Sequence, residues 1–72
     1  MNLKELLKSK RWNSSLIAPY LGVNRTSVHY WITGKTEPNV ETIKKIAELC
    51  EVEPSVVYNA VLKTREEAKA GK

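Results

Sequence analysis

A chain of 72 residues with 42% hydrophobic residues and a net charge of +4 describes one small domain with a single core, which excludes a disordered chain. One cysteine, Cys50, and one histidine exclude an intrachain disulfide and a zinc site. No apolar run approaches the roughly 20 residues of a membrane span, and MNLKELLKSK lacks the apolar core of a signal peptide, so a cytoplasmic protein is expected.

In chain order, Leu3, Leu6 and Leu7 repeat at i, i+3 and i+4, which predicts an amphipathic first helix over Asn2 to Lys10. Asn2 can cap its start, while Lys8, Lys10 and Arg11 suit its C-terminal end. Trp12 is expected to tuck into the core at the following turn. Asn13-Ser14-Ser15 is an N-cap cluster, and Leu16, Ile17, Ala18 and Leu21 follow it, so a second helix is placed at Ser14 to Leu21. Pro19 removes one amide donor from it, and a bent or tightened helix is expected.

Gly22 can take the positive φ that ends this helix, Val23 can point inward, and Asn24 can cap the next one. The third helix runs from Arg25 to Thr33, with Val28, Trp31 and Ile32 on one side and Arg25, Thr26, His29 and Tyr30 projecting elsewhere. Those four can all donate hydrogen bonds and none is acidic. Gly34 and Lys35 close it. Thr36 to Asn39 reads as a loop, and Asn39 to Glu51 as a fourth helix with Val40, Ile43, Ile46, Ala47 and Cys50 on its inner face. Glu53-Pro54 opens a fifth helix, with Val57, Val61 and Tyr58 expected inward and Val56 and Leu62 left over. The polar stretch from residue 64 to 72 is expected to fray, which puts the folded domain at 1–63.

Two helices joined by a Gly-containing turn, the second with an exposed polar edge, form a helix-turn-helix arrangement, and Arg25 to Thr33 reads as a recognition helix for the DNA major groove. Charge supports this. Residues 1–35 carry six basic side chains against Glu5 alone, a net of +5, whereas residues 36–72 carry six basic and seven acidic, a net of −1. A basic half suits a polyanion.

The stretches IAPYLGVNRTSVHYWITGKTEP and VETIKKIAELCEV resemble the Xre/Cro-like helix-turn-helix family of phage and bacterial repressors, from about Leu3 to Tyr58. The carriers are Ala18 before Leu21-Gly22-Val23, the cap Asn24, Val28 and Trp31, then Gly34, Lys35 and Pro38. The resemblance implies an all-α, compact five-helix, lambda-repressor-like DNA-binding domain. The chain departs from the family pattern at Ser14, where glutamine is common, and at Pro19, where glutamate is common. Leu7 and Ile32 stand where many members pair an arginine with a glutamate. An apolar pair there is compatible with the fold.

By residue chemistry, Arg25 can give guanine O6 and N7 two hydrogen bonds, Thr26 can meet a thymine methyl, and His29 and Tyr30 lie one turn further along. These four are the expected base contacts, although an exposed histidine or a solvated arginine needs no such role. Asn13, Ser14, Asn24, Ser27, Lys35 and Thr36, at helix starts or in the following loop, are the expected phosphate contacts. Lys10 and Arg11 add long-range attraction, and Cys50 packs as a small apolar residue.

The expected function is sequence-specific double-stranded DNA binding by a Cro-type repressor that occupies its operator, in a bacterium or its phage. One such unit reads few base pairs, so a homodimer on a pseudo-palindrome is expected, with Val56, Tyr58 and Leu62 at its interface. No cofactor, metal or small-molecule ligand is expected. With no aspartate, a single histidine and a single cysteine, no nucleophile–base–acid set is available for an enzyme. The alternative is a protein-interaction module, antitoxin-like or adaptor, on the same scaffold.

Overall fold

A computed structural model describes residues 1–70. Among these the chain forms five helices: α1 (Leu3–Ser9), α2 (Ser14–Leu21), α3 (Arg25–Thr33), α4 (Val40–Cys50) and α5 (Pro54–Ala70). None of them is long and apolar enough to cross a membrane. The first four are each capped by an asparagine in extended conformation, Asn2, Asn13, Asn24 and Asn39, whose side chain accepts a backbone N–H of the first turn. Such caps satisfy donors that a helix start otherwise leaves unpaired.

The bounds expected for α2 and α3 hold residue for residue, because each lies between an asparagine cap and a glycine in the left-handed region, Gly22 at φ 70° and Gly34 at φ 83°. In α2, where a bent or tightened helix is expected, the chain stays α-helical through Pro19. The carbonyl of Ser15, deprived of its partner, belongs to an exposed residue, so water can satisfy it.

One core joins all five helices: Leu3, Leu6 and Leu7 of α1; Ile17, Ala18 and Leu21 of α2; Val28 and Trp31 of α3; Ile43, Ile46, Ala47 and Cys50 of α4; and Val57, Ala60 and Val61 of α5. Each fully buried Leu, Ile or Val contributes roughly 1.5–3 kcal/mol by leaving water. Trp12 is half-buried against this core, donates its indole Nε1–H to the Leu49 carbonyl at 3.3 Å, and meets the Tyr20 ring edge-on at 5.3 Å. It thereby fastens the α1–α2 turn to the end of α4.

Three expectations are corrected. Val40, expected inside, is 67% exposed at the first position of α4, where Pro38 occupies the buried place instead. Tyr58, also expected inside, is 51% exposed: the inward stripe of α5 runs through Val57, Ala60, Val61 and Thr64, and Tyr58 lies about 100° around the helix from Val57.

The third concerns the C-terminal stretch, which was expected to fray from Thr64. Gly71 and Lys72 lie outside the described residues, but Thr64 to Ala70 continue α5. Thr64 is buried and accepts the Leu3 N–H at 2.8 Å, Arg65 pairs with Glu37 at 3.0 Å, and Glu67 accepts from the Asn2 side chain at 2.6 Å. Ala68 sits so close to Gly34 that a Cβ on that glycine would lie 2.7 Å from its own. Small and polar side chains therefore hold this segment where large apolar ones are absent, and α5 braces both the start of α1 and the end of α3.

Candidate nucleic-acid interface

The turn between α2 and α3 is Gly22-Val23-Asn24. Gly22 takes its left-handed conformation so that the Val23 N–H can reach back to the Ala18 carbonyl at 3.2 Å, closing α2 with the bond pattern of a glycine C-cap. Val23 packs half-buried against the core, and the chain re-enters α3 at Asn24, whose Oδ1 accepts the Ser27 N–H at 2.8 Å. Val28 and Trp31 anchor α3 from beneath.

What this leaves outside is a recess of about 330 Å³ lined by Ser14, Arg25, Thr26 and His29. Three of the four expected base-contact residues are thus gathered with one expected phosphate contact. Ser14 is the first residue of α2 and Arg25 and Thr26 are the first two of α3, so the first turns of both helices contribute to it. Among the described residues no carboxylate lines it.

Tyr30 is not part of that group. It is half-buried, and the Lys35 ammonium lies 4.6 Å from the centre of its ring. This cation–π contact holds Lys35 over the C-terminal turn of α3. Lys35 also lines a second recess, of about 580 Å³, with Thr33, Gly34, Arg65, Ala68 and Lys69.

Among the other expected phosphate contacts, Asn13 caps α2 through the Leu16 N–H at 2.9 Å and lines a cleft between α1 and α3. Ser27 is half-buried in the first turn of α3. Thr36 is exposed and bonds through its backbone N–H to the Tyr30 carbonyl at 3.4 Å.

A third and larger cleft, about 720 Å³, separates α1 from α3 and is lined by Lys4, Lys8, Arg11, Ser14, His29 and Thr33 over a floor that includes Leu7 and Ile32. Leu7 and Ile32 thus share one cleft as an apolar pair. Lys4, Lys8 and Arg65 were not expected at the site. The i, i+4 spacing of Lys4 and Lys8 is a readable signal that they share a face of α1, whereas Arg11, beyond the helix end, joins them only through the turn that follows.

A family model described as helix-turn-helix matches residues 3–57, the greater part of the chain. No curated protein and no solved structure matches it.

Proposed function

The chain belongs to the Xre/Cro-like helix-turn-helix family of DNA-binding transcription regulators, and from that membership we propose that it is a sequence-specific repressor acting by operator occupancy. The observation that carries this reading is the gathering of Arg25, Thr26 and His29 with Ser14 in one recess that, among the described residues, no carboxylate lines. With α3 in the major groove, Arg25 reads guanine through two hydrogen bonds, and Thr26, His29 and Tyr30 supply the remaining base contacts.

Asn13, Ser14, Asn24, Ser27, Lys35 and Thr36 hold the flanking phosphates. The caps at Asn13 and Asn24 orient the amide groups that an anion meets at the two helix starts. Two copies bind half-sites about 10 bp apart, joined through Val56, Tyr58 and Leu62. Val56 and Tyr58 are large apolar side chains exposed on α5.

The test is selection from a pool of random duplexes by the parent and by Arg25→Ala. A two-fold-symmetric site enriched by the parent, relaxed at one base pair per half-site by the variant, supports the reading. Salt-sensitive binding without any preferred sequence would refute sequence-specific repression. Sedimentation that finds a monomer both free and on the selected site would refute the dimer.

A further inference from the structure

The cleft between α1 and α3 joins the Arg25 recess directly, since Ser14 and His29 line both, and it reaches the Lys35 recess through Thr33, which lines those two. Its rim carries three cations, Lys4, Lys8 and Arg11, and among the described residues no carboxylate lines it. Lys4 and Lys8 stand one helical turn apart on α1, and Arg11 follows just beyond the C-cap Lys10.

Arg11 has a further peculiarity. Its φ is 63°, in the left-handed region where a side chain is disfavoured and glycine is usual at the end of a helix. The Trp12 N–H reaches back to the Leu7 carbonyl at 2.8 Å and the Arg11 N–H to the Lys8 carbonyl at 3.0 Å, so the helix end imposes this conformation.

We propose that this cleft is a second DNA contact, in which Lys4, Lys8 and Arg11 hold the sugar-phosphate backbone of the duplex whose bases the Arg25 recess reads. The inference rests on the DNA-binding reading above and extends it to α1. Its occupant is identified by charge and by continuity: Ser14 and His29 join the Arg25 recess to a cleft that Lys4, Lys8 and Arg11 line. Contacts of this kind position the duplex without reading its sequence.

Each phosphate neutralised steepens the dependence of log K on log salt by about 0.9. The experiment titrates a mixed-sequence duplex of about 30 bp at salt from about 50 to 200 mM. It compares the parent, Lys35→Ala and the triple variant Lys4→Gln/Lys8→Gln/Arg11→Gly. The triple variant is expected to fold, because Lys4 and Lys8 are exposed and glycine suits the Arg11 conformation; a thermal melt by circular dichroism checks it.

The expected result is a slope shallower by about 2 to 3, with the base preference of the selected site unchanged. Two results would overturn the proposal while leaving the repressor reading intact: an unchanged slope in the triple variant while Lys35→Ala lowers it, or a changed base preference. A parent that binds no duplex at the lowest salt would overturn both.

Discussion

The Leu3 N–H donates to Thr64 Oγ1 at 2.8 Å, and the same hydroxyl donates to the Ala60 carbonyl at 3.0 Å. One buried hydroxyl thus satisfies a first-turn amide of α1 and anchors itself on α5, across 61 positions of sequence. Thr64→Val preserves shape but leaves the Leu3 donor unpaired. The expected cost is about 1–3 kcal/mol, and Thr64→Ser should recover most of it. Urea unfolding of the three proteins measures this directly.

The two left-handed glycines differ in surroundings. A Cβ on Gly22 meets nothing within 4 Å, whereas one on Gly34 meets Ala68 Cβ at 2.7 Å and the Thr64 carbonyl at 3.2 Å. Gly22→Ala should cost about 1–2 kcal/mol for conformation alone, and Gly34→Ala about 1–3 kcal/mol more for overpacking. Adding Ala68→Gly should relieve Gly34→Ala and leave Gly22→Ala unaffected. A double-mutant cycle that shows no coupling between 34 and 68 would contradict the contact.

Pro19 leaves the Ser15 carbonyl without its helical partner. Pro19→Ala restores that donor and is expected to raise stability by about 1–3 kcal/mol, the gain in the folded state exceeding the entropy returned to the unfolded chain. The readout is the melting temperature.

Burial pushes the Cys50 thiol above its ordinary value of 9.0, with Lys10 opposing the shift. The folded state therefore keeps a proton that the unfolded chain loses. The associated stability is intact below about pH 9 and declines as pH rises through the raised folded value. The decline approaches at most about 1.4 kcal/mol per pH unit. Unfolding free energies above pH 9 should fall more gently in Cys50→Ala, and a thiol reagent at neutral pH should label Cys50 at the rate of unfolding.

Arg25 and Lys35 should fail in different ways. Arg25→Ala is expected to lose about 1–3 kcal/mol of discrimination at one base pair. Lys35→Ala should weaken binding about equally on all sequences and lower the salt slope by about 1. Binding isotherms on the selected site and on its single-base variants separate the two.

The helix-turn-helix was legible because its punctuation is local. Asn13, Gly22, Asn24 and Gly34 mark the bounds of α2 and α3 within the helices' own sequence. The C-terminal half of α5 was not legible. Its inward positions, Thr64 and Ala68, show no apolar period, and its partners Asn2, Leu3, Gly34 and Glu37 lie far away in sequence. Val40 was misread because periodicity says which face a residue shares but not whether a neighbour covers that end of the helix.

Within the site, Arg25, Thr26 and His29 were read as one face and share one recess. Tyr30 projects with them away from the Val28 and Trp31 face, but it is half-buried and its ring meets the Lys35 ammonium instead. Lys8 and Arg11 were read as charges suited to a helix end, and their shared cleft with α3 emerges only from packing.

The four asparagine caps have a consequence for anyone who would engineer this domain. The chain contains no aspartate, although a carboxylate cap would add roughly 0.3–1 kcal/mol through the helix dipole. Asn13 lines the cleft between α1 and α3 and Asn24 immediately precedes Arg25, so on the proposed reading a carboxylate at either would oppose an incoming polyanion. Routine cap optimisation there would make a hardier protein and a poorer ligand for nucleic acid. The uncharged amide marks the point at which further stabilisation of these two helices begins to subtract from their use.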